Sequence, residues 1–123
     1  MSKFNPVVIE KPWGKEVIWA HTPEYVGKIL HINAGESLSI QYHHKKDETM
    51  HVMSGTGTIN FYTMMDDGDV TVRESIQVNE GSSVHIAPNQ IHNVYAETDL
   101  VILEASTTHL TDLVRIRDRY GRN

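Results

Sequence analysis

The chain has 123 residues, enough for one hydrophobic core and too few for two, so a single domain over residues 1–123 is expected. A net charge of -5, with 22% charged and 39% hydrophobic residues, fits a soluble globular protein and argues against a nucleic-acid partner, which needs a basic surface. No apolar run reaches the roughly 18 residues that span a bilayer, no signal-peptide pattern opens the chain, and the lack of cysteine excludes disulfides and thiolate ligands. No membrane partner and a cytoplasmic location are therefore the expectations.

Strand signals dominate the chain. Near the start, KPWGKE (Lys11 to Glu16) carries Trp13, expected to pack as a plug. Residues 16–20, 25–32 and 36–43 are short and rich in β-branched or aromatic residues, and so are 51–63, 70–78, 82–87, 92–97 and 100–106. Glycine- and asparagine-bearing turns separate them at Asn33-Ala34-Gly35, Asp66-Asp67-Gly68-Asp69, Asn79-Glu80-Gly81 and Ala87-Pro88-Asn89. Such spacing predicts an all-β sandwich or barrel. In the last segment Leu110, Leu113, Val114 and Ile116 recur at near-helical spacing, with Thr108 or Thr111 able to cap, which predicts a short C-terminal helix or turn packed on the barrel.

Histidine is abundant, with eight in the chain, and the stretch SLSIQYHHKKDETMHVMSGTG (Ser37 to Gly57) concentrates the chemistry. Strand alternation places Leu38, Ile40 and Tyr42 on one face and Ser37, Ser39, Gln41 and His43 on the other. Gln41 and His43 thus share a face about 7 Å apart along the strand, close enough to converge on one ion, while His44 points the opposite way. His31, His51 and His85 read as ordinary cross-strand partners, and His21 and His109 as loop residues without a chemical role. Glu104 follows the apolar run LVIL, where an ionised carboxylate needs a partner. Either burial raises its pKa and poises it as an acid or base, or it is paired structurally or reaches the edge of the bore.

The order of these features resembles the cupin superfamily. A glycine, five residues, Gln-x-His, four residues, Glu, six residues and Gly run from Gly35 to Gly55, and a second set leads from Gly81 to His92. Gln41 stands where the common cupin has histidine, and Ala87 and Asn89 stand where its second motif has proline and glycine. Glutamine at that position is similar to the type II phosphomannose isomerase domain found at the C-terminus of bifunctional mannose-1-phosphate guanylyltransferases. KPWG, LSIQYHHKKDETMHVMSGTG and DLVRIRDRYGR (Asp112 to Arg122) resemble that domain's opening, core and closing motifs, so the likeness covers nearly the whole chain. Where that domain carries Trp and Arg on either side of its last ligand, this chain has Ile91 and Asn93.

The resemblance implies a double-stranded β-helix, or jelly-roll barrel, with a metal-binding core over about residues 35–104. It also implies one divalent ion (Zn, Mn, Fe, Co or Ni) held by Gln41, His43, Glu48 and His92. A neutral amide in place of an imidazole leaves one negative ligand, so a divalent centre keeps a charge of about +1 and attracts anionic or polyhydroxyl substrates. Metal-dependent aldose–ketose isomerisation of a sugar phosphate, of the mannose-6-phosphate isomerase type, is the function implied. Glu104 and then His44 are the base candidates, Arg115 or Arg122 is the candidate grip on a phosphate or sugar oxygen, and Lys46 a residue able to guide an anion. Two other functions fit the same barrel: an Fe(II)-dependent dioxygenase, and a sugar-binding module without turnover. Pairing of an exposed sheet edge predicts a homodimer.

Overall fold

The computed structural model describes residues 2–122, and among them it contains eleven strands and no helix. The strands are β1 (Val7–Lys11), β2 (Gly14–His21), β3 (Val26–Ile32), β4 (Ile40–His43), β5 (Glu48–Ser54) and β6 (Gly57–Met64). They continue with β7 (Val70–Val78), β8 (Ser83–Ile86), β9 (Ile91–Ala96), β10 (Leu100–Ser106) and β11 (Leu113–Arg117). Six form one antiparallel sheet in the order β1-β2-β3-β10-β5-β8, and five form a second in the order β11-β4-β9-β6-β7. Inward residues of both sheets make one core: Leu30, Ile32, Met50, Val52 and Ile102 from the first meet Ile59, Phe61 and Val94 from the second. Trp13 is buried in this core, as expected of a plug.

The expected single strand over 51–63 is two strands in different sheets. Gly55 makes the break: its φ of 89° lies in the left-handed region, and a Cβ there would stand 2.1 Å from the Asp99 carbonyl oxygen. The chain therefore leaves the first sheet at Ser54 and enters the second at Gly57, as a jelly roll requires. β1 carries no strand signal strong enough to separate it from the KPWG turn, yet it forms the outer edge of the six-stranded sheet.

The C-terminal helix is not formed. Leu113–Arg117 is strand β11, with Leu113 opposite His43, Val114 opposite Tyr42 and Arg115 opposite Gln41; a turn closed by Gly121 N–H to the Asp118 carbonyl follows. The physical reason is the unpaired edge of β4, whose backbone N–H and C=O groups gain partners only if this segment extends. β-branched Val114 and Ile116 fit that geometry as well as they fit a helical stripe. Alternation in the motif strand holds over Ile40–His43 only. Leu38, expected on the face opposite Gln41 and His43, lines the same cavity as they do and is buried in the core, because Ser37 makes an isolated bridge to Tyr95 and regular strand begins only at Ile40.

Candidate metal centre

The two sheets bring three side chains together between them. His43 ends β4, His92 stands on β9, and Glu48 begins β5 in the opposite sheet; their ligand atoms all lie within 4.8 Å of one another, and all three residues are buried. His43 Nε2, His92 Nε2 and both Glu48 oxygens are inaccessible and make no aligned hydrogen bond, although Glu48 Oε2 is ion-paired to Lys46. Two imidazole nitrogens and a carboxylate oxygen converging out of reach of water are costly unless a cation satisfies them, and their nitrogen and oxygen character suits a divalent ion of the later first row. The residues present therefore fit a bound metal.

Backbone and carboxylate groups behind the imidazoles set their orientation. His92 Nδ1–H donates to the Gln90 carbonyl at 2.8 Å, which directs Nε2 towards Glu48 Oε1, 3.3 Å away. His43 Nδ1 lies 3.3 Å from Asp112 Oδ1, in a polar contact without the alignment of a hydrogen bond. Asp112 is itself held by the N–H groups of Lys45 and Lys46, at 2.6 and 3.2 Å. Desolvation pushes its carboxyl up, but those N–H groups and His43 outweigh it and hold the acid below its ordinary range. Burial and the nearby Lys46 charge lower the His43 imidazole, favouring the neutral form that can coordinate. Asp112→Asn is expected to weaken divalent-ion affinity about 10- to 100-fold with the fold intact, read by competition with a chromogenic chelator.

Gln41 stands directly opposite His92 in the β4–β9 ladder and lines the same cavity as His43 and Glu48. Its Oε1 accepts a 2.6 Å hydrogen bond from Ser39 Oγ, which fixes the amide with one oxygen lone pair uncommitted. Asn89 also explains its own departure from the glycine pattern. It adopts φ 66°, which asparagine tolerates, and its N–H binds the His43 carbonyl at 2.7 Å, tying the loop before β9 to the end of β4. Ile91 stands opposite Tyr62, and the Asn93 side chain is bonded to Asn60 and Tyr62 on the outward face of the sheet. Substitution at these two positions therefore leaves the cavity lining unchanged.

Lys46, expected as a residue able to guide an anion, is buried. Only 5% exposed, its ammonium lies 2.9 Å from Glu48 Oε2 and 3.1 Å from Glu104 Oε2. Burial alone would lower its pKa, but the two carboxylates outweigh that and raise it, so Lys46 stays charged. Glu48 would be raised by burial, yet His92 and Lys46 leave it well below the ordinary range. Glu104, on β10 and fully enclosed, combines both readings of the sequence. Burial and the Glu48 charge push its pKa up to about 7, only partly offset by Lys46 and by Lys28 across the ladder.

These groups line a cavity of about 230 Å³. Its cations are Lys11, Lys28, Lys46, Arg115 and Arg122, against the carboxylates Glu16, Glu48 and Glu104, a positive excess inside a chain that is negative overall. Lys28 binds Glu16 at 2.6 Å, Lys11 stands 3.9 Å from the same carboxylate, and Arg122 makes paired bonds to Asp118. Arg115 differs: among the described residues it has no ion pair, and its Nε is inaccessible and unbonded. Of the two arginines singled out in the tail, Arg115 is thus the one with capacity for an incoming anion. His44 is taken away from the centre. It is exposed, packs edge-on against Tyr42 with ring centroids 5.3 Å apart, and does not line the cavity, because strand alternation turns it outward.

Among the described residues no helix is long and apolar enough to cross a membrane. Residues 4–118 match the family described as Mannose-6-phosphate isomerase C-terminal. Over 119 residues the chain is 29% identical to the mannose-1-phosphate guanylyltransferase of Escherichia coli strain K12, covering 93% of this chain but 23% of that protein. It therefore spans under a quarter of that relative's length. Two solved structures share its fold, a cupin barrel. The capsular polysaccharide assembling protein CapF from Staphylococcus aureus superposes with a TM-score of 0.74 at 18% identity, over 94% of this chain and 35% of that one. KdgF from Halomonas sp. does so with 0.69 at 16% identity, over 90% and 98%.

Proposed function

We propose that this chain, which belongs to the Mannose-6-phosphate isomerase C-terminal family, is a metal-dependent aldose–ketose isomerase acting on a sugar phosphate. The observation that carries this reading is Glu104. A carboxyl with a pKa of about 7 sits on the wall of the cavity onto which His43 and Glu48 also open. Interconversion of an aldose and a ketose needs one group to take a proton from one carbon and return it to its neighbour, and a pKa near the working pH serves both directions. A divalent ion held by His43, Glu48 and His92, with Gln41 as fourth donor, would supply Lewis-acid polarisation of the sugar oxygens.

Each remaining part belongs to the chain itself. Glu104 in its carboxylate form removes the proton, and the Lys46 ammonium 3.1 Å away steadies that form and limits the swing of the carboxyl. Arg115 offers its guanidinium to the phosphate, where two parallel N–H bonds fix the sugar's direction in the cavity. Trp13, Leu30, Leu38 and Met50 supply an apolar wall against which the carbon skeleton of the sugar packs.

The direct test incubates metal-loaded protein with hexose and pentose phosphates in deuterated water and follows both interconversion and deuterium uptake at the two carbons by NMR. Absence of both across the panel would falsify the enzymatic reading and leave a binding module. With an active substrate in hand, Arg115→Gln is expected to raise KM about 10- to 100-fold for the phosphorylated sugar, the range of a lost charge-assisted contact. Metal content and turnover of the unphosphorylated sugar should be unchanged. Equal losses on both sugars would remove Arg115 from the phosphate role.

A further inference from the structure

The inner face of the six-stranded sheet carries one charged side chain on each of five neighbouring strands. From the metal centre outward they are Glu48 on β5, Glu104 on β10, Lys28 on β3, Glu16 on β2 and Lys11 on β1, and all five line the cavity. In the proposed reaction Glu48 serves the metal and Glu104 the proton transfer, with Lys46 between them. The outer three have no part in either. Packing does not require them: Leu30 lies opposite Glu16 and Ile18 opposite Lys28, and an apolar pair in place of a buried ion pair is often as stable. A further carboxylate also opposes the entry of an anion. Glu16, only 9% exposed, therefore stands where the cavity needs a reason for it.

Its hydrogen bonds supply one. Glu16 Oε1 accepts from the Lys28 ammonium at 2.6 Å, which fixes the carboxylate. Oε2 accepts no hydrogen bond among the described residues, and Lys11 Nζ, 3.9 Å away, is beyond hydrogen-bond reach. Lys28 has three N–H donors and gives one to Glu16. A free acceptor thus stands beside free donors on the cavity wall. A hydroxyl group, donor and acceptor at once, satisfies both, whereas an ionised phosphate oxygen offers no proton to Oε2.

We propose that Glu16 and Lys28 together read one hydroxyl of the sugar and so determine which sugar the cavity accepts. The hydroxyl donates to Glu16 Oε2 and accepts from Lys28. This role rests on the sugar-phosphate reading of the cavity, with the reacting carbons at the metal and Glu104 and the phosphate at Arg115. β2 is two strands from β10, about 10 Å across the sheet, so the hydroxyl read is one remote from the reacting carbons. Arg115 belongs to β11 of the other sheet, which makes the pair a third point of attachment, off the line joining the first two. Two contacts leave the sugar free to turn about that line. A third removes the freedom and separates epimers, which differ in the side to which one hydroxyl projects. A site built on a hydroxyl's hydrogen bonds also rejects the analogue without it, because its own polar groups are left unpaired.

Titration calorimetry of the metal-loaded protein with phosphorylated hexitols tests this. These compounds keep the hydroxyls and the phosphate but carry no carbonyl, so they bind without isomerising. Removing one particular hydroxyl remote from the reacting end should weaken binding to the parent chain about 10- to 100-fold, the range for a hydrogen bond to a charged group. In Glu16→Gln, and separately in Lys28→Gln, the same deletion should cost at least about 5-fold less, while deletion of any other hydroxyl costs the same as in the parent. Each variant keeps an amide against its partner, and comparing ligands on one variant cancels any general loosening of the cavity. Deletion penalties equal in parent and variants at every hydroxyl overturn the proposal, and so does the absence of hexitol phosphate binding at millimolar concentration. Neither result depends on turnover, which the deuterium experiment decides by itself.

Discussion

Glu48→Gln is expected to empty the metal centre. Purified variant should contain almost no divalent ion by elemental analysis, its affinity lowered more than about 1,000-fold, well beyond the 10- to 100-fold that an outer partner controls. Turnover of any sugar-phosphate substrate should fall with it. The substitution is close to isosteric, and Lys46 keeps its 3.1 Å contact with Glu104, so the variant should fold. Its acid stability should change in a defined direction. The Glu48 carboxyl is held below its ordinary value of 4.5 in the folded chain, because His92 and Lys46 outweigh the effect of burial. That stabilisation is fully present above the ordinary value and is lost as pH falls, so the variant should lose less stability between pH 5 and pH 3 than the parent. Full metal retention in this variant would remove Glu48 from the centre.

Lys46→Met is expected to be the most damaging substitution to stability. It removes the single ammonium that faces both Glu48 and Glu104 in a space almost closed to water, leaving two buried carboxylates close together. Breaking a buried pair in this way costs about 3–5 kcal/mol, since the abandoned charge is not resolvated. The cost depends on pH through Glu104. Its folded pKa of about 7 lies above the ordinary 4.5, so the folded chain binds more protons than the unfolded one between these values and stability falls as pH rises through that window. Without Lys46 the carboxyl moves higher still, and the fall extends beyond pH 7. Urea denaturation should therefore show a larger deficit at pH 8 than at pH 5. A deficit below about 1 kcal/mol, or one equal at both pH values, would show that the ion pair is not enclosed. Adding Glu104→Gln to Lys46→Met should recover much of the loss at pH 8 and flatten the pH dependence.

The separation of the two adjacent histidines was legible in the sequence because it rests on local geometry, although His44, a base candidate there, is turned away from the cavity. In an extended chain neighbouring side chains face opposite ways, so His43 and His44 had to separate, and the structure buries the first and exposes the second against Tyr42. Glu48 and His92 were legible only through the resemblance of their spacing to the motifs of the cupin superfamily. Asp112 was visible only as part of the closing motif, with nothing in the residue itself to say that β11 would carry it to His43. The misread C-terminal segment has the same origin. Leu113, Val114 and Ile116 satisfy helix and strand periods about equally over five residues, and the open edge of β4 decided between them.

The sequence by itself determined the all-β class, the position of most of the strands and the face of β4 that carries Gln41 and His43. Those follow from alternation, turn chemistry and residue identity, all short-range properties of the chain. Tertiary structure alone decided the charge state of the cavity. Lys46 sits in a turn between polar neighbours, and no local property separates it from Lys45 beside it. It is buried because β5 and β10 pair, bringing Glu48 and Glu104 from positions 56 residues apart to either side of one ammonium. Glu104 acquires its pKa of about 7 from the same meeting. Desolvation and Coulomb energy depend on distance in space and on what excludes water, and neither is written in the spacing of residues along the chain.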